Sequence, residues 1–586
     1  MATDKKERGP ALRRGKACLN CRHLKIRCDG ARPVCTPCTR VPKDDRCEYT
    51  DTMSRTQELE YTVHRLQSRL NELESGAGSS NYPAHSLSKG LPGPSSDRSA
   101  RSSPFSESSS DVSPTFSNFA SGSRSSPSSE GSFRTCQLNG TRRSQEEPPF
   151  AMVQMLLQYF LPHATQFGFF LHPQHFRDSV LLPFPIGDER RPSPALLYVA
   201  YLWGAHLSQT QALLTSEGVF LKRAQQHIST EISAHIHPTY LLHTIQAQIL
   251  LSTYLLRSKR FLEAEFYANG AATLALGYQL HKIRSARPAS PSLLGVPVLV
   301  EVYPTPPASA VEEGERIRAF WAVACLQSHL NISLDPPSAS AAFCILESPG
   351  AEIDTPWPLE MEDYEAGALP VGYLGQESIR NFLADDAFPP SPICMLHAKA
   401  SVLLYRATRL SAGWSPNLQP QELAAFQTSY TWLDQRITAF WQALPPIYAF
   451  YGDSAAARTL ALTHALTAAA AIRLHRSPAA SDAEAHAKCL FAVRAVFDVL
   501  GDARVGSQEL AHPVVGALCA LAGRVLVHEV RRARVVSAAW GVGPSGEEKE
   551  LVRELGAAMG VMGIYASGCP LVEYQRQKLR HEYDAL

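Results

Sequence analysis

Six cysteines fall within thirty residues near the start of this chain, at Cys18, Cys21, Cys28, Cys35, Cys38 and Cys47. Their spacing, C-x2-C-x6-C-x6-C-x2-C-x8-C, is two near-copies of a C-x2-C-x6-C half, and it restricts the local fold more than any other feature. A C-x2-C pair lets two thiolates reach one ion from a tight turn, and a structural zinc takes four ligands in a tetrahedron. Two zincs need eight sulfur contacts. Six thiolates supply eight if two of them bridge, and the repeat suggests one bridging cysteine from each half, Cys18 and Cys35. The other seven of the 13 cysteines are scattered singly, so the chain is not a disulfide scaffold. So short a segment cannot bury enough surface to fold alone, and metal binding is expected to supply most of its folding free energy.

Charge is equally local. The 586 residues sum to a formal +1, yet residues 1–50 hold thirteen Lys and Arg against six Asp and Glu. Such an asymmetry points to an anionic partner. A short helix clamped between zinc ligands can present a few side chains rigidly to the DNA major groove, and Lys25 is placed to reach the O6 and N7 acceptors of guanine. Arg22, Arg27, Arg32, Arg40 and Arg46 fit phosphate contacts that fix register and supply salt-dependent affinity. A solvated basic face is the alternative for each. Upstream, Lys5, Lys6, Arg8, Arg13, Arg14 and Lys16 suit a nuclear localisation signal or further phosphate contacts.

Residues 18 to 47 resemble the DNA-binding cluster of the fungal zinc binuclear cluster (Zn2Cys6) transcription factors. All six ligand positions match, Pro33 occupies the family's loop proline, and Cys21-Arg22-His23-Leu24-Lys25-Ile26-Arg27-Cys28 follows its C-R-x-x-K-x-R/K-C helix. Leu24 departs, standing where many members carry Arg or Lys. The resemblance implies that Cys18, Cys21, Cys28 and Cys35 hold one zinc, and Cys35, Cys38, Cys47 and Cys18 the other. It also implies a nuclear regulator of RNA polymerase II genes that binds double-stranded DNA at CGG-like triplets and works with the transcription machinery or co-regulators.

Past a polar connector, Leu59, Val63, Leu66, Leu70 and Leu73 step 4, 3, 4, 3, the seam of a coiled coil. Arg55 and Arg69 fall at g positions opposite Glu60 and Glu74 at e of a parallel partner, so both pairs attract in a homodimer. The alternative is a lone amphipathic helix docked on the rest of the chain, since fewer than three heptads make a short coiled coil. From Ser75 to Pro149 about a third of the residues are Ser, with few apolar anchors, the composition of a disordered tether. Ser103, Ser113 and Ser126 each precede Pro there.

Beyond residue 150 apolar residues recur at 3.6 spacing, broken by Pro-rich connections, and no strand pattern repeats. Helices are predicted over 195–207, 238–256, 260–281, 312–330, 393–412, 421–443, 457–475, 484–502, 513–534 and 547–562, with the run 298–303 as loop. Phe261-Leu-Glu-Ala-Glu-Phe, Ala272-Thr-Leu-Ala-Leu-Gly and Glu315-Arg-Ile-Arg-Ala-Phe-Trp resemble the helical regulatory domain of the same family, over residues up to about 370. The fold class expected is therefore all-α. Its parts are a basic arm (1–15), a zinc cluster (16–50), a coiled coil (55–75), a tether (76–149) and a helical regulatory domain (150–586).

An enzyme is the contrasting reading. The chain has no P-loop, dinucleotide glycine fingerprint, G-x-S-x-G elbow or H-E-x-x-H, and His528-Glu529 lacks the second His. His172 with His175, and His235 with His237, have no acidic or Cys partner at metal spacing, which argues against a second metal site. No apolar h-region follows Met1 and the long uncharged stretches are interrupted by polar residues, so neither a signal peptide nor a membrane span is expected. Activation, repression and small-molecule sensing are equally compatible with the helical part.

Overall fold

The computed structural model describes Cys18, Cys21, residues 26–40 and Cys47, then residues 147–586 apart from 209, 234–237, 287–305, 335–343, 347–351, 371, 386–387, 416, 503, 505–511 and 542. Its contacts divide the chain into two compact units, Met1–Ser128 and Ser129–Leu586. The five heptad residues, nearly all of the tether, the 298–303 run and the His235/His237 pair lie outside the described residues. Among those described there is no strand, only an isolated bridge between Ser285 and Gly375. The fold is all-α.

In the large unit, helix Pro194–Leu207 is the most deeply buried element, with twelve of its fourteen residues in the core. Pro194 at the first turn lacks the N–H that would otherwise be unsatisfied, and the Ser193 side chain accepts the Leu196 N–H. This helix packs on Phe150–Phe160, Glu217–Ser233 and Pro238–Arg257. Gly204 makes the first crossing possible: a Cβ there would lie 2.4 Å from the Leu156 carbonyl oxygen. Gly204→Ala should push the two helices apart and lower stability by about 1–3 kcal/mol, as overpacking does. Chemical denaturation reads the change, and an unchanged midpoint would remove glycine's role in the crossing.

The remaining helices follow in a packed series. Pro238–Arg257 contacts Phe261–Gly277. Ala310–Ser333 then joins Ile393–Ala412, and the latter packs on Ser454–His475. Ala483–Leu500 and Val514–Ala539 come next, with Gly546–Ala566 and Pro570–Asp584 against the last. All ten predicted helical segments are helices. Their starts move where a cap sets them: Asp453 accepts from the backbone N–H of Ala455 and Ala456, and Ser545 from that of Glu548, so two helices begin earlier than their apolar stripes do.

Two helices pack otherwise than composition alone suggests. In Phe261–Gly277 two of the large residues stay outside, Leu262 at 81% and Phe266 at 71% exposure. The buried face is Ala264, Ala268, Ala271, Ala272 and Ala275, whose small side chains let this helix approach Pro238–Arg257 closely. Ser454–His475 is long and apolar enough by composition to cross a membrane, but 67% of its apolar window is buried in the fold. It is placed as a core helix of the unit.

Candidate metal centre and nucleic-acid interface

The small unit has no hydrocarbon core among its described residues. What is buried there is the cysteines: Cys18, Cys21 and Cys35 are fully inaccessible and Cys28 nearly so, with Cys38 and Cys47 packed against them, while Ile26 and Val34 remain exposed. Among the described residues of this unit the buried groups are thus the sulfurs, and a group held by them is what can fix the segment.

The sulfurs form two overlapping groups. Within Cys18, Cys21, Cys28 and Cys35, and within Cys18, Cys35, Cys38 and Cys47, all Sγ atoms lie within 4.8 Å of one another. Cys18 and Cys35 belong to both. The Cys18–Cys35 separation is 3.7 Å, Cys21–Cys35 is 3.5 Å and Cys18–Cys38 is 3.8 Å. These distances are far beyond a disulfide bond. They match the edge of a tetrahedron with Zn–S bonds of about 2.3 Å, which is about 3.8 Å. Cys21 also lies 3.8 Å from Cys38, a contact that runs between the two groups rather than within either. The donor set thus fits two structural zinc ions, whose chemistry here would be to cross-link the loop rather than to activate water.

Local hydrogen bonds shape the loop. The Cys21 N–H points at Cys18 Sγ and the Cys35 N–H at Cys47 Sγ, so backbone donors support the sulfurs. Asp29 accepts from the Ala31 and Thr36 backbone N–H groups and so fastens the turn after Cys28 to the start of helix Thr36–Arg40. Hydrogen bonding from Thr36 holds the Asp29 carboxyl below its usual range. Sequence reading passed over Asp29, although an acidic side chain seven residues before a helix start was visible. Burial pushes the Cys18, Cys21 and Cys35 thiols upward, so zinc must displace their protons on binding.

Of the basic residues assigned to DNA, Arg27, Arg32 and Arg40 are exposed on this unit. Arg22, Lys25 and Arg46 lie outside the described residues.

A second cluster appears where sequence spacing gave no sign of one. Glu365 approaches His172 and His175 from 193 residues away, and the three could in principle share an ion. The hydrogen bonds argue otherwise. His172 Nδ1 accepts the His175 backbone N–H at 3.2 Å, which leaves the ring proton on Nε2, and Nε2 donates it to Glu365 at 2.8 Å. His172 is a helix cap braced by a carboxylate, with no ring lone pair left for a metal.

Comparison with known proteins agrees with the geometry. Residues 16–56 match the fungal Zn(2)-Cys(6) binuclear cluster domain. The chain is 40% identical over 65 residues to the Neurospora crassa protein named transcriptional activator protein acu-15, covering 10% of this chain and 7% of that one. It is 33% identical over 81 residues to the Aspergillus fumigatus C6 finger domain transcription factor hasF, 11% of each chain. The matches thus span about a tenth or less of either relative, and no solved structure matches. Six cysteines in two overlapping tetrads, on a segment that matches the cluster domain throughout, make residues 16–56 of this chain a fungal Zn(2)-Cys(6) binuclear cluster domain, with two zinc ions as its cofactors.

Proposed function

We propose that this protein is a sequence-specific, DNA-binding transcription factor of the nucleus. The observation that carries the reading is the pair of sulfur tetrads sharing Cys18 and Cys35, because that arrangement would fix the 21–28 segment rigidly enough to present side chains to a groove. The family match and two relatives named for transcription support it. Lys25 reads guanine in a CGG-like triplet; Arg22, Arg27 and Arg32 hold phosphates. The helices of Ser129–Leu586 regulate activity, with the transcription machinery or co-regulators as partners.

Lys25→Ala should weaken binding to the preferred triplet by about 1–3 kcal/mol, roughly ten- to a hundredfold, and relax preference at one base. Arg27→Ala and Arg32→Ala should weaken all duplexes alike and reduce the salt slope by about one each. Gel-shift titrations on matched and mismatched duplexes separate the two, and a uniform loss for Lys25→Ala would overturn its assignment.

Residues 55–75 form the dimer seam in this reading, placing two clusters on two half-sites. Replacing Leu66 and Leu70 by Asp should reduce affinity for a double site far more than for a single triplet. Equal losses on both would contradict dimerisation. Fusing residues 77–586 to an unrelated DNA-binding domain in a reporter distinguishes activation from repression.

A further inference from the structure

A cavity of about 730 Å³ lies inside the helical unit, between the 165–170 segment and helices Ala310–Ser333, Ile393–Ala412 and Ser454–His475. The volume suits a small organic ligand. Much of its wall is apolar, with Phe169, Trp321 and Leu326 among the lining residues. Its polar groups are unevenly matched. Arg458 lines the cavity with its Nε buried and without a hydrogen-bond partner, and it feels Asp453 only through space. Gln166 Nε2, from the 165–170 segment of the same lining, is a second buried donor without an acceptor. Arg318 also lines the cavity, and Glu315 senses it only through space.

None of the three lining carboxylates hydrogen-bonds to Arg458 Nε or Gln166 Nε2. Asp453 accepts from the Ala455 and Ala456 backbone N–H groups, and Glu360 from that of Cys394. Glu362, the remaining one, is exposed on the short helix Met361–Glu365. The histidines bring no positive charge: burial pushes His397 down to about 4 and His512 to about 3, and His329 is also driven low, so all three are neutral near pH 7. The cavity therefore combines a largely apolar wall with two buried donors that lack an acceptor, Arg458 Nε and Gln166 Nε2, and with the Arg318 guanidinium.

We propose that this cavity binds a small organic acid, a carboxylate on an apolar body. Arg458 and Gln166 take the carboxylate, Arg318 adds a second positive charge, and Trp321, Phe169 and Leu326 enclose the body. The inference stands on the helical unit alone and does not depend on the reading of the zinc cluster.

Isothermal titration calorimetry on the full zinc-loaded chain tests it, with decanoate and 4-phenylbutyrate as probes and their uncharged amides as controls. At least one acid should bind saturably at one site per chain, with its amide at least about tenfold weaker, since only the carboxylate gains charge-assisted hydrogen bonds. Arg458→Gln should weaken the acid by at least about tenfold while helical circular dichroism is unchanged. If that variant does not fold, the comparison of acid with amide on the native chain still decides. No saturable binding of either acid below about 1 mM, equal binding of acid and amide, or undiminished binding by folded Arg458→Gln would each overturn the proposal.

Discussion

Chelation of zinc from a fragment spanning residues 12–52 is expected to abolish its folded structure, with loss of its circular dichroism and of all site-specific DNA binding. The size of the effect follows from what the unit lacks. Its described core is sulfur, and the aliphatic residues described there, Ile26 and Val34, are about half exposed. Structural zinc contributes roughly 10–16 kcal/mol of apparent binding free energy, more than the whole stability of an ordinary domain. Single substitutions should grade this loss. Cys18→Ala and Cys35→Ala each remove a sulfur common to both tetrads and should cost both ions, whereas Cys28→Ala and Cys47→Ala each touch one tetrad and should leave about one zinc bound. Metal content by mass spectrometry under native conditions distinguishes the classes. Equal circular dichroism with and without chelator, or one zinc retained by Cys18→Ala, would contradict the shared-sulfur arrangement.

The second large effect lies in the helical unit. Arg191 is 4% exposed, and it donates to both carboxylate oxygens of Glu147, at 2.5 and 3.0 Å, and to the Phe184 carbonyl. Tyr201, from the central helix, donates to the same carboxylate. Glu147→Gln would leave a buried guanidinium without its counter-charge, which costs about 3–5 kcal/mol, whereas removing both charges together costs less because no uncompensated ion remains. Denaturant titration of Glu147→Gln, Arg191→Met and the pair should show strongly non-additive losses. A change below about 0.5 kcal/mol for Glu147→Gln would show that the bridge contributes no more than a surface pair.

Much of this architecture was legible in the sequence because it is local. Cysteine spacing within thirty residues reports directly on which sulfurs can meet, and the two groups of sulfurs that lie together are those the family resemblance implies. The ten predicted helices were legible for the same reason, since apolar period and first-turn proline are properties of neighbours along the chain. Other helices were missed where the stripe is thin: Glu217–Ser233 buries only Phe220, Ala224 and Ile228, and Pro570–Asp584 only Leu571, Val572, Gln575 and Leu579. Which face turns inward was harder still. In Phe261–Gly277 the alanines are inside because close approach to a neighbouring helix wins over burial of Leu262 and Phe266, and that neighbour is specified elsewhere in the chain.

Long-range juxtapositions left no signal in the sequence at all. Glu365 meets His172 across 193 residues, and the cavity draws Gln166, Arg318 and Arg458 from three distant segments. No spacing rule links them, because only the packed helices bring them together.

The central claim, that a two-zinc sulfur cluster makes this chain a sequence-specific DNA-binding protein, is tested most directly by selection from random duplexes with zinc-loaded residues 1–76. Repeated rounds should enrich CGG-like triplets, and the enrichment should vanish when zinc is chelated. A selected pool no different from the starting pool, or an enriched motif that persists without zinc, would contradict it.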